Sequence, residues 1–194
     1  MLQHISGVIN DETKRLRFQV EKVLQMSLFD RQKATLRLTD IDANQAIANI
    51  IHTFKLKVEK YGGEIEARLD AQHSMVNVDE MHFTNVIFNL LDNAVKYRRE
   101  DVPLKLVVST QDISADRIRI VVADNGIGIR KDDLKKVFDK FYRVSTGNRH
   151  DVKGFGLGLA YVHKMVRDLG GEIYVESELG SGTRFVITLR SLPE

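Results

Sequence analysis

Four short stretches rich in glycine and asparagine constrain the fold of this chain more than any other sequence feature. They occupy residues 89–97, 124–129, 154–159 and 180–183. Each lies on or beside an apolar segment with the period of a helix or a strand. One such stretch alone is a weak signal. In this order and at these spacings, the four predict a single pocket that several elements of one domain assemble.

The overall composition is that of a folded domain in water. The chain has 194 residues, of which 43% are hydrophobic and 29% charged, which fits one compact domain with an appendage. A net charge of +2 does not favour binding to nucleic acid or to a membrane through bulk charge. Cysteine is absent, which excludes disulfides and thiolate metal sites. With no signal-peptide pattern and no membrane-spanning apolar run, we expect a cytoplasmic chain or the cytoplasmic part of a larger one.

The first 33 residues carry a sparse apolar repeat. Leu2, Ile9, Leu16 and Val23 lie seven residues apart, which predicts one long helix with a narrow apolar stripe. This helix packs against one or a few partner helices, or it is an ordinary surface helix of the domain. We therefore divide the chain into a helix over 1–33 and a main domain over 34–194.

The main domain alternates strand and helix signals. Period-two apolar residues predict strands near 36–41, 65–69, 75–78, 104–109, 118–123, 173–175 and 185–189, and helical spacing predicts helices over 46–58, 83–94 and 157–169. Asp42 and Asp79 occupy N-cap positions. Strand pairs joined by short turns argue against a purely parallel sheet. The expected class is α+β: a two-layer α/β sandwich, with helices on one face of a mixed, mostly antiparallel sheet, plus one long N-terminal helix.

The first stretch offers oxygen ligands and a cation. Asn89 and Asn93 are four residues apart, so they share one face of a helix. A carboxamide oxygen can ligate Mg²⁺ while the ion bridges nucleotide phosphates, and Lys96 can supply a positive charge to phosphate. Hydrogen bonding within the helix is the alternative explanation for these two amides.

The second stretch suits recognition of a base. The carboxylate of Asp124 can accept hydrogen bonds from an exocyclic amine, and Gly126 and Gly128 let the backbone approach a flat ring. An ordinary Asp-Asn-Gly hairpin turn is the alternative.

The third stretch precedes a helix, whose N-terminus favours phosphate. Its glycines, Gly154, Gly156 and Gly158, alternate, so it is neither a P-loop nor a dinucleotide fingerprint. Upstream lies a long basic connection in which Phe138 and Phe141 are candidate anchors, and a solvated basic loop is the alternative there.

These motifs resemble those of two-component sensor histidine kinases. Residues 85–97 resemble their asparagine box, 124–129 and 154–159 their two glycine boxes, 138–143 their phenylalanine box, and 180–183 their closing glycine-threonine motif. The resemblance covers about residues 35–190 and implies a Bergerat-type ATP-binding sandwich.

The resemblance also implies residue roles. Asn93 would be the main Mg²⁺ ligand, assisted by Asn89, and both would act in catalysis with Lys96. Asp124 would read adenine, Thr183 would help to hold it, and residues 143–153 would form a lid ordered by ATP. The full set implied to bind ATP is Asn89, Asn93, Lys96, Tyr97, Asp124, Gly126, Gly128, Ile129, Phe138, Phe141, Arg143, Lys153, Gly154, Gly156, Leu157, Gly158, Leu159 and Thr183.

The implied activity is transfer of the γ-phosphoryl group of Mg-ATP to a histidine on a dimerisation hairpin, and then to a response-regulator aspartate. The intact kinase would be a homodimer, with no nucleic-acid partner, and this portion would make no direct membrane contact even if the sensor is membrane-anchored. Residues 1–33 resemble the second helix of that hairpin. None of the six histidines stands in the acceptor motif, so we expect a fragment that cannot autophosphorylate alone.

Two other functions compete with this interpretation. A gyrase- or chaperone-type ATP-hydrolysing switch resembles the same pocket but places a glutamate where Asn89 stands. An amide is a poor general base, so Asn89 favours the kinase. A non-catalytic nucleotide-binding module is disfavoured, because no pocket residue of the family pattern is replaced.

Overall fold

The computed structural model describes residues 36–143 and 156–193. The helix predicted over residues 1–33 lies outside the described residues. So do Lys153, Gly154 and all of the predicted lid over 143–153 except its first residue. Within the described part, no helix combines the length and the apolar character needed to cross a membrane.

The main domain alternates strands and helices as its sequence pattern predicts. In chain order the elements are β1 (Thr39–Asp42), α1 (Ala43–Glu59), β2 (Glu64–Leu69), β3 (Met75–Val78), α2 (Glu80–Lys96), β4 (Lys105–Ser114), β5 (Arg117–Asp124), α3 (Lys131–Leu134), α4 (Gly158–Asp168), β6 (Glu172–Glu178) and β7 (Gly182–Arg190). The first strand begins at Thr39 rather than near residue 36, and the one-turn helix α3 was not predicted.

Five strands form the main sheet, in the order β2-β4-β5-β7-β6. All neighbouring pairs are antiparallel except β2 and β4, which run parallel. A separate antiparallel ribbon of β1 and β3 is connected to the end of β7 by a bridge between Val76 and Ser191 and a hydrogen bond from Leu192 N to Met75 O. The prediction of a mixed, mostly antiparallel sheet is confirmed.

The core lies between one face of this sheet and the buried faces of α1, α2 and α4. Alternate residues of β4, β5 and β7, such as Leu106, Ile120 and Ile187, pack with helix residues such as Phe54 and Leu90. Each fully buried side chain of this kind contributes roughly 1.5–3 kcal/mol. Burial of one sheet face by helices confirms the predicted two-layer arrangement.

Two aspartates fix where α1 and α2 begin. The side chain of Asp42 accepts hydrogen bonds from the backbone nitrogens of Asn44 and Gln45, and that of Asp79 accepts one from His82. Such N-caps stabilise a helix by about 1 kcal/mol. Both caps were predicted, and the second sets the register of the helix that carries Asn93.

Candidate functional site

A cleft opens where the C-terminal half of α2, the end of β5, the start of β7 and the start of α4 meet. It encloses about 620 Å³, including its open mouth. All four glycine- and asparagine-containing stretches contribute to its wall. The residues that line it are Asn93, Tyr97, Asp124, Ile127, Gly128, Ile129, Val137, Tyr142, Arg143, Leu159, Thr183 and Phe185.

Asp124 is a buried carboxylate at the end of β5. Burial raises its pKa to about 6, even though hydrogen bonds from the backbone N–H groups of Gly126 and Thr183 act to lower it. The bond from Gly126 N to Asp124 Oδ1 is 2.7 Å long. At neutral pH this group is a poorly solvated anion, and a ligand that donates a hydrogen bond stabilises it.

The two glycines after Asp124 are required by the packing of the chain itself. A Cβ on Gly126 would lie 2.5 Å from the carbonyl oxygen of Tyr97. Gly128 has φ +70°, and a Cβ there would lie 2.0 Å from the carbonyl oxygen of Glu178. These glycines therefore admit neighbouring backbone, whereas the sequence argument assigned them the approach of a flat ring.

The glycine stretch after β5 is docked onto the β6–β7 hairpin. The backbone nitrogen of Gly180 donates to the carbonyl oxygen of Ile127 over 2.7 Å, and that of Ile129 donates to Ser177 Oγ over 2.9 Å. Ser177 in turn donates to the carbonyl oxygen of Gly182 over 2.6 Å. Ser177 was not predicted, because no motif in its neighbourhood indicates a loop that lies 48 residues away.

On α2, the two asparagines occupy different environments. Asn93 lines the cleft. Asn89 lies one turn earlier, outside the lining; its Nδ2 donates to the carbonyl oxygen of Asn85 over 2.7 Å, while its Oδ1 faces Gly158 at the start of α4. The hydrogen bond within the helix, considered as the alternative for these amides, is present for Asn89.

Lys96 is bonded to a neighbouring carboxylate and lies outside the lining. Its Nζ lies 2.5 Å from Asp92 Oδ2, and Lys57 of α1 also donates to Asp92. Burial raises the pKa of Asp92, but the hydrogen bonds from Lys57 and Lys96 together hold it below its usual range. A phosphate contact by Lys96 would require it to leave Asp92.

The two phenylalanines of the basic connection differ in packing. Phe138 stacks on His163, with ring centroids 5.1 Å apart, and meets Phe185 edge-on. Phe141 is 53% exposed and has φ +65°, a conformation that bulky residues rarely adopt. Its backbone nitrogen donates to the carbonyl oxygen of Gly156 over 3.0 Å. Only Phe138 therefore anchors this segment by its ring.

Some predicted residues lie outside the lining of the cleft, and several unpredicted residues lie in it. Gly126, Gly156, Leu157 and Gly158 lie outside the lining, and Ile127, Val137, Tyr142 and Phe185 line the cleft without having been predicted. Phe185 was detectable, because it falls two residues after Thr183 on the same face of a strand.

Tyr142 carried no such signal, because it depends on α3. Its hydroxyl donates to Asp133 over 2.6 Å, a carboxylate that also accepts from Arg130 over 2.8 Å. The hydrogen bond to Asp133 raises the pKa of the Tyr142 phenol. Tyr142 is therefore held as a neutral side chain at the rim of the cleft.

The chain is similar to known proteins in both sequence and structure. The profile of the family described as "Histidine kinase-, DNA gyrase B-, and HSP90-like ATPase" matches residues 78–193. The sensor protein RprX of Bacteroides fragilis is 63% identical over 97% of this chain and 36% of its own length. The sensor histidine kinase WalK of Bacillus subtilis is 34% identical over 94% of this chain and 30% of its own. The chain thus spans about a third of these relatives.

Solved structures share the fold. Full-length ShkA in complex with AMPPNP matches with a TM-score of 0.79 and 23% identity, over 94% of this chain and 38% of its own. The histidine kinase ThkA in complex with the response regulator TrrA matches with a TM-score of 0.72 and 24% identity, over 96% of this chain and 50% of its own. The resemblance drawn from the motifs is confirmed, and this chain belongs to the histidine kinase-, DNA gyrase B- and HSP90-like ATPase family.

Proposed function

We propose that this chain is the catalytic part of a sensor histidine kinase. It binds Mg-ATP in the cleft and donates the γ-phosphoryl group to a histidine on a dimerisation hairpin, for onward transfer to a response-regulator aspartate. The main support for the proposal is that residues from three separate stretches line one cavity: Asn93, Tyr97, Asp124 and Thr183.

The proposed base-binding end is the wall formed by Asp124 and Thr183. The buried carboxylate accepts from the exocyclic amine of adenine, a contact that compensates for the loss of water around Asp124. Ile129 and Leu159 supply apolar surface for the ring. Gly126 and Gly128 hold the loop in place for this contact.

The proposed phosphate-binding end begins at Asn93. The described residues contain no group of three or more acidic or imidazole side chains that could hold a metal by themselves. An amide oxygen of Asn93 fits Mg²⁺, which takes few protein ligands and completes its shell with water and phosphate oxygens. Once bound, the ion would neutralise charge on the phosphates. Asn89, whose Oδ1 lies close to Gly158 at the start of α4, is the second proposed ligand.

The cation of Lys96 is available to phosphate through an exchange of partners. Asp92 is shared by Lys57 and Lys96. When Lys96 turns to the nucleotide, Lys57 keeps the carboxylate paired, so the exchange leaves no uncompensated charge on α2. Arg143, at the mouth of the cleft, adds a second cation there.

Transfer is favoured over hydrolysis by the groups that face the cleft. Asp124 is the only carboxylate among the described lining residues, and backbone N–H groups already hold it. The Asn89 amide cannot take a proton from water near neutral pH. This arrangement supports a phosphotransferase over the alternative, an ATP-hydrolysing switch.

The partners proposed for the whole protein follow from its relatives. WalK is named a sensor histidine kinase, ThkA was solved with a response regulator, and ShkA was solved with an adenine nucleotide analogue. By analogy we propose an adenine nucleotide and a response regulator as partners here. Mg²⁺, a phosphoacceptor helix and a second copy in a homodimer are proposed from the motif resemblance alone. The cytoplasm is the proposed compartment.

The proposal is tested by mixing this chain with radiolabelled Mg-ATP and a separate acceptor hairpin from a related kinase. The expected result is an acid-labile label on the hairpin histidine with negligible free phosphate, and loss of that label with Asn93→Ala. Release of phosphate over several turnovers, without labelled protein, would instead support the hydrolysing switch. A hairpin with the histidine replaced by glutamine is the matched control.

A further inference from the structure

The hydroxyl of Ser177, on β6 behind the cleft, holds three polar groups at once. Its Oγ lies 2.6 Å from the carbonyl oxygen of Gly182, 2.9 Å from the backbone nitrogen of Ile129 and 3.0 Å from Oγ1 of Thr183. A serine hydroxyl has one hydrogen to donate and two lone pairs with which to accept. These three contacts therefore use its whole hydrogen-bonding capacity.

The chemistry of the partners fixes the direction of each bond. A carbonyl oxygen only accepts, so Ser177 donates its hydrogen to Gly182. A backbone N–H only donates, so Ser177 accepts from Ile129. The remaining bond must then use the hydrogen of Thr183. Thr183 thus has no hydrogen to offer a bound molecule and presents only lone pairs.

The neighbouring polar group in the cleft is also an acceptor. Asp124 faces Thr183 across the β5–β7 ladder, and both residues line the cleft. An ionised carboxylate accepts hydrogen bonds and donates none. This wall therefore matches a base edge that carries N–H donors, and it opposes one that carries a carbonyl oxygen in the same place.

We propose that Ser177 is a positioning residue for base recognition, which makes the Thr183 hydroxyl an acceptor and so favours a 6-amino purine over a 6-oxo purine. The inference rests on the proposed nucleotide function. Ser177 lies outside the lining of the cleft, so it acts through Thr183. This arrangement needs no additional ionisable group, because a single hydroxyl whose hydrogen is already donated to Gly182 is sufficient.

The experiment is a calorimetric titration of the whole chain with the magnesium salts of ADP and IDP. The base of ADP has a 6-amino group and an unprotonated N1, whereas that of IDP has a 6-oxo group and an N1–H. The wild-type chain should prefer ADP. In Ser177→Ala the Thr183 hydroxyl regains a free hydrogen, so the ratio of the two affinities should narrow by about three- to tenfold. Ser177→Thr keeps the hydroxyl and should keep the wild-type ratio.

A purely supporting role for Ser177 would weaken both nucleotides equally, and an unchanged ratio in Ser177→Ala would overturn the inference. Thr183→Val provides a second test that leaves the bonds of Ser177 to Ile129 and Gly182 in place. It should narrow the ratio to a similar extent, and an unchanged ratio there would overturn the inference even if circular dichroism shows Ser177→Ala to be unfolded. Failure of the wild-type chain to bind ADP would overturn the proposed function itself.

Discussion

The two walls of the cleft are held in different ways. The sheet wall, lined by Asp124, Gly128 and Thr183 and backed by Ser177, is fixed by hydrogen bonds to backbone groups of adjacent loops. The helix wall is lined by Asn93 and flanked by Asn89 and Lys96. These three polar side chains share one helix surface, where Lys96 is bonded to another side chain rather than to backbone. Backbone partners are rigid, whereas a partly exposed lysine exchanges partners easily.

This difference corresponds to what each wall is proposed to bind. Preorganised groups avoid reorganisation when a ligand arrives, which suits a base that is the same in ATP and ADP. Only the γ-phosphoryl group leaves in the proposed reaction, and an adaptable wall accommodates the nucleotide before and after that loss. We therefore expect changes in the sheet wall to act on stability and specificity, and changes in the helix wall to act on metal and phosphate binding.

The largest expected effect is in the sheet wall. Gly128→Ala should lower the free energy of unfolding by about 3 kcal/mol, because φ is +70° and the new Cβ would lie 2.0 Å from the carbonyl oxygen of Glu178. Urea denaturation measures this loss. The matched control is Gly180→Ala, where φ is +86° but space is open, and about 1–2 kcal/mol is expected. Equal losses would contradict close packing at Gly128.

The next effect tests the helix wall. Asn93→Ala should weaken Mg-ATP binding by about 30- to 100-fold, because it removes the proposed metal ligand. Calorimetry with Mg²⁺ and with EDTA separates the two contributions, and the affinity for metal-free nucleotide should change little. Asn93→Asp, which keeps an oxygen ligand, is the control. Unchanged Mg-ATP affinity in Asn93→Ala would rule out the metal assignment.

A pH effect should appear on the sheet wall alone. The pKa of Asp124 is raised from 3.8 to about 6 in the nucleotide-free fold. The contribution of this carboxyl group to the free energy of unfolding is therefore full below pH 4 and is lost as pH rises through 6, where the group ionises. A donor from the base favours the ionised form and lowers that pKa. Nucleotide affinity should therefore fall below pH 6, by at most about tenfold per pH unit.

Affinities for ADP measured from pH 5 to 8 would reveal this slope. Asp124→Asn should flatten it, whereas the exposed Asp139→Asn should leave it unchanged. A flat wild-type profile would mean that the base does not contact Asp124.

The smallest expected effect concerns the shared carboxylate of the helix wall. Lys96→Met should weaken Mg-ATP binding about fivefold and leave adenosine unaffected, since an exposed cation contributes about 1 kcal/mol. Lys57→Met leaves Asp92 with Lys96 as its described partner, so a loss of about twofold is expected. Competition binding with a fluorescent nucleotide resolves both values. If the two variants behave alike, Lys96 does not exchange partners.

Local signals predicted most of the elements. The apolar periods of α1, α2 and α4 and the caps at Asp42 and Asp79 depend only on neighbouring residues, and the structure has them where they were predicted. The parallel pairing of β2 with β4 was not predictable in this way, because it joins segments separated by β3 and α2. Pairings of that kind depend on how the core packs, and the apolar period of a strand does not indicate which strand pairs with it.

The same distinction applies to the cleft. Asp124, Asn93 and Thr183 stand in motifs whose residue types indicate their chemistry, and the structure brings them to one cavity. Ser177 and Tyr142 are held by Ile129 and Asp133 of other segments, and their residue types alone do not indicate those partners. The bond of Lys96 to Asp92 was predictable from helical spacing, but the contribution of Lys57 was not.

The position of β7 has a consequence for biosynthesis. This strand is the last of the sheet in sequence, yet it lies between β5 and β6. While a ribosome is still synthesising residues 182–190, β6 has no partner, and Asp124 lacks the ladder neighbour that helps to hold its carboxylate. The nascent domain therefore stays incomplete until that strand emerges, and its exposed strand edges would be ligands for chaperones during that interval.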